Sequence, residues 1–337
     1  MNKRILITGG AGFVGHHLID HLLKKTNFDI ISLDRLDHSG TLNRIWEILR
    51  DNPEKDRVKI VWHDLKAQLN DFIINKIGNV DYIFHIAASS HVDRSIAYPI
   101  EFFLDNIIGT ANLLEYSRRY CPNLKMFLYF STDEVFGPAP EGVFFKEGDR
   151  YAAKNPYSAS KAAAEEICMT YCETYNLPII ITHAVNIYGK RQHPEKFIPL
   201  SVRKILNDEI LEIHSNPQLT EAGRRYYLHV DDLAEALLFL IDKANVGEKY
   251  NLVAKEELSN LELAKMISEI LGKKLKYMMI DPKKTRPYLD FRYALDGNKM
   301  KEMGWEPKIK MRGALEELIE WFKVNEEWLH LKQDRNL

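Results

Sequence analysis

The first half of the chain alternates two hydrophobic rhythms. Short apolar, β-branched runs lie at 4–8 ("RILIT"), 29–33 ("DIISL"), 58–62 ("VKIVW"), 81–86 ("DYIFHI"), 126–131 and 178–184 ("PIIITHA"). Between them, apolar positions recur at helical spacing near 13–25, 41–51, 67–77, 99–119 and 157–175. Strands that are apolar throughout are buried on both faces, and the intervening helices supply the cover. The pattern therefore predicts an α/β fold with a doubly wound parallel sheet in residues 1–186. After about residue 186 the strands shorten, loops rich in Pro, Gly and charge take over, and helices are expected near 197–207, 231–243, 258–271 and 311–324. This is read as a smaller mixed α/β lobe over 187–325, on the carboxyl edge of the sheet, with segments near 225–250 returning to the first domain. Residues 326–337 read as a polar, loosely held tail.

Length and composition narrow the classes of function. A chain of 337 residues suits one large α/β domain with a second lobe. A formal charge of −2 points to neither nucleic acid nor an anionic membrane surface. No apolar run approaches the roughly 20 residues of a membrane helix, and the apolar stretch in "MNKRILITGG" is too short for a signal peptide. The three cysteines, Cys121, Cys168 and Cys172, are odd in number, which argues against a disulfide framework and for a reducing cytoplasm. No His/Cys/Asp/Glu cluster has metal-ligand spacing, so no metal is expected.

The strand at 4–8 runs into "LITGGAGFVG", with Gly9, Gly12 and Gly15 three apart and a helix behind them. Glycines in that place permit a tight turn and let backbone N–H groups approach a pyrophosphate at a helix N-terminus. Phe13 and Val14 complete the loop. About 20 residues on, Asp34 ends the second strand, where a carboxylate accepts hydrogen bonds from ribose hydroxyls and repels a 2′-phosphate. NAD is the expected cofactor, with Arg35 beside Asp34 leaving NADP open. Asp64 and Leu65, after the third strand, are candidates for the adenine edge, and Ala87, after the fourth, for a further cofactor contact.

Two further stretches carry chemistry. "NPYSASKAAAEE" sets Tyr157 and Lys161 at i and i+4 on one helix face. A tyrosine acting as base near neutral pH needs its pKa lowered by roughly 3 units, and an ammonium one turn away is expected to do part of this. "MFLYFSTDEVFG" breaks an apolar strand with Ser131, Thr132, Asp133 and Glu134. Ser131 and Glu134 have capping-box spacing, but Gly137 and Pro138 leave little helix to cap. That reading leaves Asp133 without a purpose.

Together the glycine loop, Asp34, "YSASK" and the strand-end hydroxyls resemble the extended short-chain dehydrogenase/reductase family. "AASSHVDRSI", "STDEVFG", "NPYSASK" and "HPEKFIPL" are similar to its nucleotide-sugar 4,6-dehydratases, those of dTDP-glucose and UDP-glucose. The resemblance implies a Rossmann-type fold, tightly held NAD, and catalytic roles for Thr132, Asp133, Glu134, Tyr157 and Lys161. Tyr157 would take the proton of the sugar 4-hydroxyl, Thr132 bond the C4 oxygen, Glu134 take the C5 proton, and Asp133 protonate the departing C6 hydroxyl. Lys161 would hold the nicotinamide ribose. The chemistry agrees, since neighbouring carboxylates disfavour double ionisation, so one can serve as acid and the other as base. The nucleotide-sugar substrate would meet Ser90, Asn186, Glu195, Lys196, Arg225, Asn251 and Arg286, while Asn106 would shape the site's backbone. His91 and His193 read as packing residues.

The chain also departs from those dehydratases. Ser89 stands where they carry Glu, Tyr288-Leu289 where they carry Gly-His, and Ile187 where they carry a second Asn. Thymidine and uridine nucleotides both stay open, as does a 4-epimerase or UDP-glucuronate decarboxylase on the same scaffold. A non-enzymatic NAD-binding regulator would be expected to have lost the Tyr/Lys or acid pair. Apolar residues on more than one face of helices 99–119 and 157–175, among them Phe103, Ile107, Leu113, Ile167 and Tyr171, together with the resemblance, imply a homodimer through a four-helix bundle.

Overall fold

In the computed structural model, residues 2–37, 39–284 and 291–330 are described, the side chain of Lys284 excepted. The strands are β1 (Arg4–Thr8), β2 (Asp29–Asp34), β3 (Val58–Trp62), β4 (Tyr82–His85), β5 (Met126–Thr132), β6 (Ile179–Ala184), β7 (Asn186–Tyr188), β8 (Leu211–His214), β9 (Arg224–His229), β10 (Lys249–Leu252), β11 (Glu257–Ser259) and β12 (Tyr277–Ile280). Seven form one wholly parallel sheet in the order β10-β6-β5-β4-β1-β2-β3. This is the Rossmann-type, doubly wound arrangement expected from the apolar runs.

Alternation along β1 shows why those runs need cover on both sides. Ile5 and Ile7 join one core with Leu18 and Leu22 of helix Phe13–Lys25 and Leu233 and Leu237 of helix Val230–Lys243. Leu6 faces the other core, built with Leu113 and Leu114 of helix Gly109–Tyr120 and Ala164 and Cys168 of helix Pro156–Tyr175. Helix Val230–Lys243 packs on the core of the seven-stranded sheet and β10 pairs with β6, whereas β9 (Arg224–His229), within the segment expected to return, pairs with β7 and β11.

A smaller lobe carries the mixed sheet β11-β9-β7, the pair β12-β8, and a core that includes Val202, Leu263, Leu315 and Phe322. Two expectations change here. The tail is not loose from residue 326, because Glu326–Leu329 form a 3-10 turn that buries Leu329 and sets Trp328 under the Arg44 guanidinium. The helix expected over 99–119 is interrupted, since Pro99–Phe103 is followed by a π-helical segment, Leu104–Ile108, before Gly109–Tyr120. The Thr110 hydroxyl donates to the Asn106 carbonyl at 2.6 Å, within the widened turn. Segments of this kind recur at functional sites.

Candidate active site

β1 has β2 on one side and β4 on the other, so the chain reverses its winding direction there. Such a reversal leaves a crevice outside the carboxyl ends of the strands. A cleft lies in it, lined by Gly9, Gly12, Phe13 and Val14 of the loop, Asp34, Asp64, Leu65 and Ala87, and reaching Tyr157 and Lys161. Gly9 has φ +73°, and a Cβ there would stand 2.8 Å from the Ala87 backbone. Gly15 does not line the cleft. A Cβ on it would come within 2.1 Å of the Gly9 carbonyl, so its absence lets the helix seat against the loop. Gly12 caps that helix without a side chain, and no acid sits in the first turn. The free N–H groups thus suit a phosphate anion.

The Asp34 carboxylate is buried and fixed by the N–H groups of Ala11 at 3.0 Å and Leu36 at 2.8 Å. Burial raises its pKa, and these two bonds oppose the rise. Arg35 is turned away from it. Its guanidinium makes a bidentate pair with Asp105 at 2.6 and 3.0 Å and bonds Asp37 at 2.7 Å. An acid without a free neighbouring cation, beside a glycine cradle, fits a dinucleotide with a 2′-hydroxyl.

At the other end of the cleft, β5 runs straight into a 3-10 turn, Asp133–Phe136. The cap is Thr132, whose hydroxyl accepts from the Glu134 N–H. Ser131 instead donates to the buried Glu165 carboxylate, which His183 Nε2 also meets at 2.9 Å. Asp133 is 4% exposed and accepts from the Thr132 hydroxyl at 3.1 Å. Asn155 begins the next helix with a capping box and donates to Glu134 Oε2 at 2.9 Å. The same helix carries Tyr157 in its first turn, where Thr132, Asp133 and Glu134 all bear on the phenol.

The part expected of the neighbouring ammonium is not seen among the chain's own groups. Burial, then Glu134 and Asp133, push the Tyr157 pKa up, and the Thr132 hydroxyl opposes them. The Lys161 ammonium donates to the Phe130 carbonyl at 2.7 Å rather than to the phenol, and burial lowers its own pKa to about 8. Asn106, in the π segment, holds both backbone groups of Ser89 at 2.8 and 3.0 Å and the Ser160 hydroxyl at 2.9 Å, and so braces this wall.

The expected substrate residues divide. Ser90, Glu195 and Lys196 line the cleft, and so do His91 and His193. Both histidines approach the Glu195 carboxylate, at 3.2 and 3.5 Å, which ties the sheet domain to the lobe. Asn186 is exposed at the start of β7, outside the cleft wall. Arg225 stacks on Tyr293 and donates to the Arg224 and Phe291 carbonyls. Asn251 is fully buried, with both amide hydrogens given to the Phe145 and Asp296 carbonyls and its oxygen 3.0 Å from His183. Its side chain therefore offers no donor to a nucleotide. Arg286 lies outside the described residues. Asn155 was not among the candidates, although Asn before Pro is a helix-start signal.

The glycine loop and strand-end acids can be compared with known proteins. Residues 6–318 match the family model described as GDP-mannose 4,6 dehydratase. The chain belongs to this family. It is 35% identical to a dTDP-glucose 4,6-dehydratase of Salmonella typhimurium, over 97% of this chain and 94% of the relative. Among solved structures, the Bacillus anthracis dTDP-glucose 4,6-dehydratase in complex with NAD is 35% identical with a TM-score of 0.84, covering 97% of this chain and 98% of its own. The Streptomyces venezuelae dTDP-glucose 4,6-dehydratase, also with NAD bound, has a TM-score of 0.88 at 31% identity, covering 98% of this chain and 100% of its own. Ser89, where the resemblance led to the expectation of a Glu, has a carboxylate beside it. Asp105, from the π segment, accepts the Ser89 hydroxyl at 2.6 Å.

Proposed function

We propose that the protein is an NAD+-dependent 4,6-dehydratase of nucleoside-diphosphate hexoses, acting on dTDP-glucose or UDP-glucose to form the 4-keto-6-deoxy sugar. The observation that carries this reading is that Thr132, Asp133 and Glu134 bear on Tyr157, which lines the cleft together with Lys161 and the glycine loop, while Asn155 at the start of the Tyr157 helix holds Glu134. When bound, NAD+ supplies a hydride acceptor for C4, a hydride donor for C6 and a positive charge beside the phenol. Tyr157 takes the C4 hydroxyl proton, and Thr132 bonds the same oxygen. The resulting 4-ketone acidifies the C5 proton, which Glu134 removes from the position that Asn155 sets. Asp133 protonates the departing C6 hydroxyl, so a proton from C5 and a hydroxyl from C6 leave as water. Lys161, held by the Phe130 carbonyl, orients the nicotinamide ribose. Ser90, Glu195 and Lys196, which line the cleft, receive the sugar diphosphate in this reading.

Incubation with dTDP-, UDP-, GDP- and CDP-hexoses, with mass detection, should show water loss and a 4-keto product absorbing in alkali. Water loss from none of them would overturn the reading. Turnover without it would assign the site to a 4-epimerase or decarboxylase.

The protein is further read as a homodimer in a reducing cytoplasm. The three cysteines are unpaired and buried, and no helix among the described residues is long and apolar enough to cross a membrane. Leu113 packs inside the monomer, but Tyr98, Ile100, Leu104, Ile108 and Tyr175 expose 43–64% of their surface on or beside the helices that would pair. Light scattering after gel filtration should give twice the 39.2 kDa chain mass, and Ile100→Glu with Leu104→Glu should give the monomer. A monomeric wild type would refute the dimer.

A further inference from the structure

Arg35 directly follows the carboxylate that selects the ribose, and it lines the same cleft. A cation there is what a 2′-phosphate would seek. In this chain its charge is already committed across the cleft. Asp105, 70 residues away in sequence, takes Nη1 and Nη2 at 2.6 and 3.0 Å, and Asp37 takes Nε at 2.7 Å. Asp105 is itself set by the Ser89 hydroxyl at 2.6 Å and has a 9% exposed side chain. Lys66 lies 3.4 Å from Asp64 and 3.8 Å from Asp105. Arg44 also lines this end of the cleft, and its guanidinium is given to the Arg191 carbonyl at 3.0 Å and the Ser39 carbonyl at 2.7 Å.

We infer that Asp105 is a cofactor-specificity residue: by neutralising and turning Arg35 it withdraws the fork that would otherwise pair with a 2′-phosphate, and so reinforces the choice of NAD made by Asp34. Asp105 acts through Arg35 and is a positioning residue, not a catalytic one. The inference rests on the reading that this cleft binds a nicotinamide dinucleotide.

The test is a titration of wild type, Asp105→Asn, Arg35→Ala and the double variant with NAD+ and NADP+, read by calorimetry after the resident cofactor has been removed. Wild type should prefer NAD+. Asp105→Asn keeps a partner for Ser89 while removing the charge, and should raise relative NADP+ affinity about tenfold, the worth of one charge-assisted bond to phosphate. Arg35→Ala alone should leave the ratio of the two affinities near wild type, and in the double variant it should cancel the gain. An unchanged ratio in Asp105→Asn would overturn the inference. So would a loss of NADP+ binding in Arg35→Ala alone, which stands even if Asp105→Asn fails to fold. Binding of neither dinucleotide by wild type would instead refute the reading of the cleft.

Discussion

Asp133→Asn and Glu134→Gln should each reduce turnover by about 10²–10⁴-fold, the range for loss of a positioned acid or base, while C4 oxidation persists. The two substitutions should stop the cycle at different bonds. With Glu134→Gln the C5 proton stays in place, so no C5 exchange is seen in deuterated water and reduced dinucleotide accumulates in a single turnover. With Asp133→Asn, Glu134 still removes the C5 proton, so exchange continues although the C6 hydroxyl is retained. The contrast follows from geometry, because Glu134 is held separately by Asn155 at 2.9 Å whereas Asp133 is held by Thr132 at 3.1 Å. Unchanged turnover in a folded double variant would remove elimination from the site and favour the 4-epimerase reading. Loss of C5 exchange in both would mean that acid and base are not divided as argued.

What was legible in the sequence is what is local in the chain. The glycine loop, Asp34 and the Tyr157/Lys161 pair are each written within one strand-turn-helix unit, where period and spacing determine which side chains share a face. The six early strands appear within a residue or two of their expected limits for the same reason. Strand-end acids were legible as chemistry, but not their holders. Asn155 reaches Glu134 across 21 residues, and Ser131 reaches Glu165 across 34. Arg35–Asp105 spans 70 and depends on a π segment that no periodicity announces. Arg225 and Asn251 show the converse, since a motif position supplies the residue type but not the neighbours. Carbonyls of Phe145 and Asp296 claim the Asn251 amide from segments distant in sequence. The Lys161 ammonium likewise finds a β5 carbonyl, a partner invisible from helix spacing alone.

That last difference sets the second expected result, a pH dependence centred on Tyr157. Burial and the Glu134 carboxylate raise the phenol pKa, so C4 oxidation, which needs the phenolate, should become faster as pH rises through the neutral range. Tyr157→Phe should remove this rising limb and cost about 10³-fold in single-turnover oxidation, with dinucleotide affinity retained because the glycine loop and Asp34 are untouched. The neighbours should move the limb in opposite directions. Glu134→Gln deletes a negative charge that disfavours the phenolate, so the pKa falls and the limb shifts to lower pH. Thr132→Val deletes a hydrogen bond that favours the phenolate, so the pKa rises and the limb shifts to higher pH. Rapid-mixing absorbance of the reduced nicotinamide, followed across pH for wild type and the three variants, measures all of these shifts. A limb that survives Tyr157→Phe would assign the base elsewhere. Limbs that move the same way in Glu134→Gln and Thr132→Val would show that the two groups do not act on the phenol as the geometry requires.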